Sequence, residues 1–465
     1  MFLPKRFKGV AGILLLLVLL VAAGLFVFRQ FEWYPPRIQA SLERAVVGRR
    51  PFVIRVDDSG RGLAYVSVSL ATGATGGDSS LIHFKEFESS PRFSEIPVQL
   101  DPERHKLKDG PGVLTITAAD RSYWSFFRGN KATFEKNVTV DFRPPTVEMI
   151  SEDRYVTHGG SGLVAYKTSP DTELSGIRIG KYFFRGYQGH LPDRNVSLAF
   201  FSHPYDVPVN ERAVIYAQDH AGNVRRFGLV YNVRPLRYRR VKVQVSDDFI
   251  QRKIVPLASE AGDSSGTPRE QFLRVNHDLR RVNEEIIDKV CRRSAATKLW
   301  NGRFVQLANS SVQANFADQR SYYYRDQKID EARHLGYDLA VTRRYPVGAA
   351  NSGMVVFAGA LGIYGNTVII DHGFGLCTLY SHLSSVAVKA GDAVKKAQNI
   401  GRTGETGLAL GDHLHYGVYI QGVAVLPLEW WDPKWIRDNV TGKLSRVKKR
   451  EEAPATGASP QASAG

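Results

Sequence analysis

A chain of 465 residues, 43% hydrophobic and 23% charged, has room for about three domains and too much apolar content to be disordered throughout. Its 42 Gly and 22 Pro follow no triplet period, excluding a collagen-like chain, and 2 Cys exclude a disulfide framework or a cysteine-rich zinc module. The 62 Lys and Arg against 46 Asp and Glu give a net +16, which favours an anionic partner but leaves nucleic acid, phospholipid headgroups and an acidic wall polymer open.

Residues 9–28 (GVAGILLLLVLLVAAGLFVF) carry no charge and reach the roughly 20 residues that a helix needs to cross a hydrocarbon core. Lys5, Arg6 and Lys8 precede them without an acidic neighbour, so residues 1–8 are expected as a cytoplasmic tail. Phe31, Trp33 and Tyr34 suit the far interface. A cleaved signal peptide with a site near Val21-Ala22-Ala23 is the competing reading; apolar character running past that site favours a single-pass anchor. Either reading exports the rest of the chain, and the anchor would tether it to the membrane with everything after Arg29 outside the cytoplasm.

From about Pro51 to Pro235 short β-rich runs alternate with Gly, Asn, Asp and Ser clusters. Asp120 followed by Gly129-Asn130 is echoed by Asp219 followed by Gly222-Asn223. The echo predicts tandem immunoglobulin-like β-sandwich modules over 45–145 and 146–236, with one irregular β-domain as the alternative. A linker over 237–300 holds an amphipathic helix at 268–293: Thr267 caps it, Pro268 takes the first position, and Glu270 completes a capping box. Phe272, Val275, Leu279, Val282, Ile286 and Val290 form its apolar stripe, a surface for a neighbouring domain, a protein partner or self-association. Residues 446–465 read as a disordered tail.

The chemistry concentrates in the C-terminal third. Five of 12 histidines, His334, His372, His382, His413 and His415, lie between Arg333 and Tyr416, among strand-like runs bounded by glycines. This predicts an antiparallel β-domain over 301–436. On a strand, His413 and His415 point to one face. His334 and Asp338 can converge across the turn that Gly336 permits. Two histidines and a carboxylate suit a catalytic Zn2+ with an open position, although a histidine pair can equally be hydrogen-bonded without metal. His372 reads as a turn residue, and Cys291 and Cys377 as buried thiols.

Together these residues resemble the lysostaphin/LytM-type zinc metallopeptidases, which cleave peptide bonds in peptidoglycan. The resemblance rests on His334-Leu335-Gly336-Tyr337-Asp338, Tyr364-Gly365-Asn366, Tyr380-Ser381-His382-Leu383, Val388-Lys389-Ala390-Gly391-Asp392, Ile400 to Gly407 and His413-Leu414-His415-Tyr416. It implies that His334, Asp338 and His415 bind zinc, while His382 and His413 orient or deprotonate the water and stabilise the oxyanion. Asp412, Gly417 and Ala397 depart from the usual Pro, Glu and Gly of that pattern, at positions that are not ligands. The resulting expectation is a mainly β, membrane-anchored zinc endopeptidase acting on peptidoglycan stem peptides, with no nucleic-acid partner. The alternative is a non-catalytic wall-binding or regulatory module; relatives of that kind typically lack a zinc-site residue, whereas all five positions are filled here.

Overall fold

The computed structural model of the chain describes residues 5–32, 34–42, 44–73, 79–151 and 154–452. Two compact units emerge, Met1–Pro145 with Gln218–Val224 and Thr146–Ala217 with Arg225–Gly465.

In the first unit a helix spans Lys5–Gln30, and its described side chains, residues 12–28, are all exposed and apolar. The crossing expected at 9–28 extends beyond those side chains, and among the described residues no helix is long and apolar enough to cross a membrane. The tail expected at 1–8 also lies partly outside the described residues. A three-stranded antiparallel sheet comes next (Arg37–Ala40, Phe52–Asp57, Phe93–Val98). It packs on a five-stranded one ordered Val46–Val47, Lys131–Val140, Gly110–Asp120, Leu63–Thr72, Ser79–Glu86. Alternate residues point inward along each strand: Phe52, Ile54 and Val56 meet Val66, Val68, Leu70, Leu114 and Ile116 in one core. The module starts at Arg37, ahead of the expected boundary at 45.

The second unit, Thr146–Ala217 with Arg225–Gly465, takes in most of the stretches read as 146–236, 237–300 and 301–436. One continuous core joins Val164 and Phe200 of the β-module to Phe272 of the helix and to Ile370 and Trp430 of the C-terminal domain. The reason lies in the strands. Ser161–Thr168 is buried at nearly every position and Val196–Ser202 at every one, the pattern of a sheet covered on both faces. The C-terminal domain supplies the second cover: Trp430 packs on Phe200 at 5.7 Å, Ser161 N donates to Glu429 Oε2 at 2.7 Å, and Gln421 bonds both Arg185 N and Arg185 O at 2.8 Å.

The helical stretch Pro268–Cys291 starts on the Thr267–Glu270 capping box. A π-turn over Arg274–Leu279 rotates the remainder of the helix about its axis. The inward line therefore runs Phe272, Val275, Leu279, Asn283, Ile287, Cys291, and Val282, expected inside, is 41% exposed. Asn283 uses its inward place to accept from Ile363 N at 2.9 Å. The tail also differs from expectation. Gly442–Glu452 is helical, Val447 is buried, and Lys443 Nζ donates to Leu163 O at 3.1 Å, so a short apolar contact orders a stretch whose composition reads as disordered; residues 453–465 lie outside the described residues. Cys291 and Cys377 are buried and free.

The C-terminal sheet is antiparallel, ordered Ser311–Ala314, Tyr337–Ala340, Leu414–Ile420, Leu376–Leu383, Asn366–Asp371, Gly353–Ala360, Ala393–Val394. Beside it Arg240–Gln244 pairs in parallel with Gln319–Tyr324, which hairpins into Gln327–Arg333.

Candidate metal centre

Strand register assembles the site. Asp338 lies opposite His415, and His415 lies opposite Ser381, the residue before His382. His334 arrives from the turn before Tyr337, and Gly336 serves it by close approach: a methyl there would sit 2.7 Å from His415 Cε1. His334 Nε2, Asp338 Oδ1 and His415 Nδ1 form a nearly equilateral triangle with sides of 2.9, 3.0 and 3.0 Å.

The triangle suits a cation. His334 Nδ1 faces Asn315 O at 2.9 Å and must donate to it, so Nε2 carries a lone pair. That lone pair, a carboxylate oxygen and a second imidazole meet in a buried space, where unneutralised acceptors are costly. Two nitrogens and one carboxylate oxygen this close together are a donor set that would hold zinc and leave a fourth position open. Burial would raise the Asp338 carboxyl, but its interactions with His334, His413 and His415 outweigh that and hold it well below the ordinary carboxylate range. Burial pushes His415 down to about 4 despite its bond to Asp338.

His413 and His382 stand beside the triangle with ring centroids 4.9 Å apart. Each donates Nδ1–H to a carbonyl, Gly411 O at 2.7 Å and Thr406 O at 2.8 Å. Their environments push them apart. Burial would lower His413, but Asp338 Oδ1, 3.5 Å from its Nε2, raises it overall. His382 is driven well below its ordinary value by burial and by the neighbouring His413 and His415. His382 also holds a φ of +61°, a left-handed backbone that a non-glycine residue adopts at a cost of order 1–2 kcal/mol.

Sequence reasoning missed Arg320. Its Nη2 donates to Asp338 Oδ2 at 2.7 Å, occupying the carboxylate oxygen that the triangle does not use. It comes from the Gln319–Tyr324 strand, outside the stretch that carried the resemblance, and no spacing in that strand announces it. His372 lies apart from the site: Nδ1–H donates to Ser352 O and Nε2 accepts from Thr378 Oγ1, both at 2.8 Å. Of the departures from the expected pattern, Asp412 Oδ2 accepts from Arg344 N at 3.0 Å. Gly417 leaves room for Tyr419, whose ring a methyl would approach to 2.7 Å. Ala397, in a usual glycine place, has a φ of +64°.

His334, His382, His413 and His415 line a cavity of ≈ 280 Å³ together with an apolar set, Val241, Val243, Phe249, Phe272 and Tyr322. That apolar wall is thus built by the segment preceding the histidine-rich stretch.

Residues 332–427 match Peptidase family M23. The DD-carboxypeptidase/endopeptidase Mpg of Neisseria meningitidis is 42% identical over 95 residues, 20% of this chain and 22% of that protein. The peptidoglycan DD-endopeptidase ShyA of Vibrio cholerae is 41% identical over 111 residues, 24% of this chain and 25% of that protein. This chain therefore spans about a quarter or less of the length of these curated relatives. Among solved structures, the catalytic domain of lysostaphin from Staphylococcus simulans is 29% identical, covering 26% of this chain and 90% of that one with a TM-score of 0.22.

Proposed function

We propose that this chain, which carries a Peptidase family M23 domain near its C-terminus, is a zinc endopeptidase that hydrolyses peptide cross-links of peptidoglycan. The observation that carries the reading is the convergence of His334 Nε2, Asp338 Oδ1 and His415 Nδ1 at 2.9–3.0 Å from one another, beside His382 and His413, each anchored through Nδ1 to a backbone carbonyl. Zinc held there supplies Lewis acidity, polarising the scissile carbonyl and easing loss of a proton from water.

The chain's own groups divide the remaining work. His382, kept neutral by its surroundings, accepts the proton as general base. His413, whose protonated form Asp338 favours, donates to the developing oxyanion and then to the leaving amine. Arg320 fixes the Asp338 carboxylate. The apolar wall excludes water along one side of an extended peptide, and Arg239, Arg280 and Arg333 at the cavity edge favour a substrate with free carboxylates. The uncharged run over residues 9–28 is, on its sequence, the reading's single-pass anchor in the cytoplasmic membrane of a bacterium, holding the catalytic domain in the periplasm or outside the cell.

The test is digestion of purified peptidoglycan by the full chain in detergent, with and without chelator, followed by mass analysis of the fragments. Zinc-dependent release of split cross-links is expected. His382→Ala should retain one zinc and lose about 10²-fold or more in turnover. Wall binding without bond cleavage at full zinc occupancy would overturn the enzyme in favour of a regulatory module.

A further inference from the structure

The repeated Asp–Gly–Asn turn plays no part in the chemistry above, yet in the first unit it borders a second cluster of charge. Carboxylate oxygens of Glu32, Asp58 and Asp120 lie within 4.8 Å of one another. Asp58 follows the Phe52–Asp57 strand, Asp120 ends the Gly110–Asp120 strand, and Glu32 stands just beyond the Lys5–Gln30 helix. One oxygen of each aspartate is committed to the backbone. Asp58 Oδ2 accepts from Gly60 N and Gly62 N at 3.1 and 2.7 Å, and Asp120 Oδ1 accepts from Ser122 N and Asn130 N at 2.9 and 2.7 Å.

The remaining oxygens, Asp58 Oδ1 and Asp120 Oδ2, are buried and meet no donor, in residues only 5% and 1% exposed. Glu32 closes the third side, with Arg61 N donating to both its carboxylate oxygens at 3.0 and 3.2 Å. Of the nearby guanidinium groups, Arg61 lies over the Tyr123 ring at 4.4 Å with its Nη1 buried and unpartnered, and Arg92, whose charge acts on Asp58, donates Nε–H to Gly60 O at 3.1 Å; neither hydrogen-bonds Asp58 Oδ1 or Asp120 Oδ2. Three like charges with two orphaned, buried acceptors are costly unless a cation joins them.

We propose that Glu32, Asp58 and Asp120 form a Ca2+ site that clamps the segment leaving the N-terminal helix onto the first β-module. An all-oxygen donor set selects a hard cation over zinc, and irregular loop ligands suit the 6–8 flexible contacts of Ca2+ better than the octahedron of Mg2+. The cradle is shaped for Glu32: a methyl at Gly60 would run into its Oε2. Asn130 Nδ2 donates to Glu32 O at 2.9 Å, while Phe31 packs on Tyr123 and Trp124 at 6.0 and 5.8 Å. The second turn of the repeat makes the same backbone grip, Asn223 Nδ2 donating to Asp141 O at 3.0 Å, which explains why the turn recurs.

The test is calorimetric titration of the full chain, stripped with chelator and reloaded with zinc, using CaCl2 with MgCl2 as the competing arm. One Ca2+ equivalent is expected, with affinity weakened about tenfold or more in Glu32→Gln and in Asp120→Asn and a matching loss of Ca2+-induced thermal stabilisation. A cooperative thermal melt of each variant without Ca2+, followed by the near-ultraviolet signal of Tyr123 and Trp124, reports folding of the first unit, and Glu32→Gln removes charge from the least buried member. His334→Ala should lose zinc and keep the Ca2+ equivalent, so the two sites fail separately. Absence of Ca2+ binding by the wild-type chain, or unchanged affinity in both folded carboxylate variants, overturns the proposal.

Discussion

His334 and His372 are both buried histidines of one domain, each with Nδ1 against a backbone carbonyl, Asn315 O or Ser352 O. They part at the second nitrogen. Nε2 of His372 is bonded to the Thr378 hydroxyl, which is bonded in turn to Tyr380 Oη, the acceptor for Ala350 N. Every polar atom of that chain is matched, so His372 is structural. Nε2 of His334 finds another acceptor, Asp338 Oδ1, and a second imidazole. Burial and a carbonyl anchor are common to both; an unanswered lone pair is what makes a ligand.

The sharpest way to separate the two is pH. Burial lowers His372 to about 4 from the usual 6.5, so between those values the unfolded chain binds the extra proton. The stabilisation is complete above about pH 6.5 and is lost as pH falls through about 4, worth up to about 3 kcal/mol at 1.36 kcal/mol per unit. Denaturant titrations across that range should show His372→Asn with a flatter pH slope than the wild type and an unchanged zinc equivalent at neutral pH. Loss of zinc in His372→Asn would erase the distinction.

Arg320→Met acts on the other side. It leaves Asp338 Oδ2 without its partner, and removing an outer hydrogen bond to a ligand typically weakens metal affinity 10–100-fold. Competition with a chromogenic chelator checks this, and an affinity equal to wild type would show that the hairpin does not tune the site. The smallest effect is at neither histidine. Ala397→Gly should raise stability by about 1 kcal/mol, because glycine accepts the left-handed backbone at that position; thermal melting with unaltered zinc affinity is the readout.

These residues also mark how far sequence could be read. His334, Asp338, His382, His413 and His415 announce themselves because strand alternation and short turns fix their spacing, and the structure gathers all five. Arg320 does not, since its partner is set by tertiary pairing of a hairpin with no periodic signal. The inward face of Pro268–Cys291 was displaced for a different reason: counting 3.6 residues per turn cannot foresee the π-turn that brings Asn283 inside in place of Val282. The stretch near Val447 misleads by composition, because one buried valine and a lysine reaching Leu163 O suffice to hold a helix.

Because Phe200 rests against Trp430 and Gln421 clasps Arg185, the C-terminal sheet is no cassette. Excising it at residue 301 would strip the cover from a broad aromatic face and invite aggregation, whereas a cut in the Thr146 region leaves that seam whole.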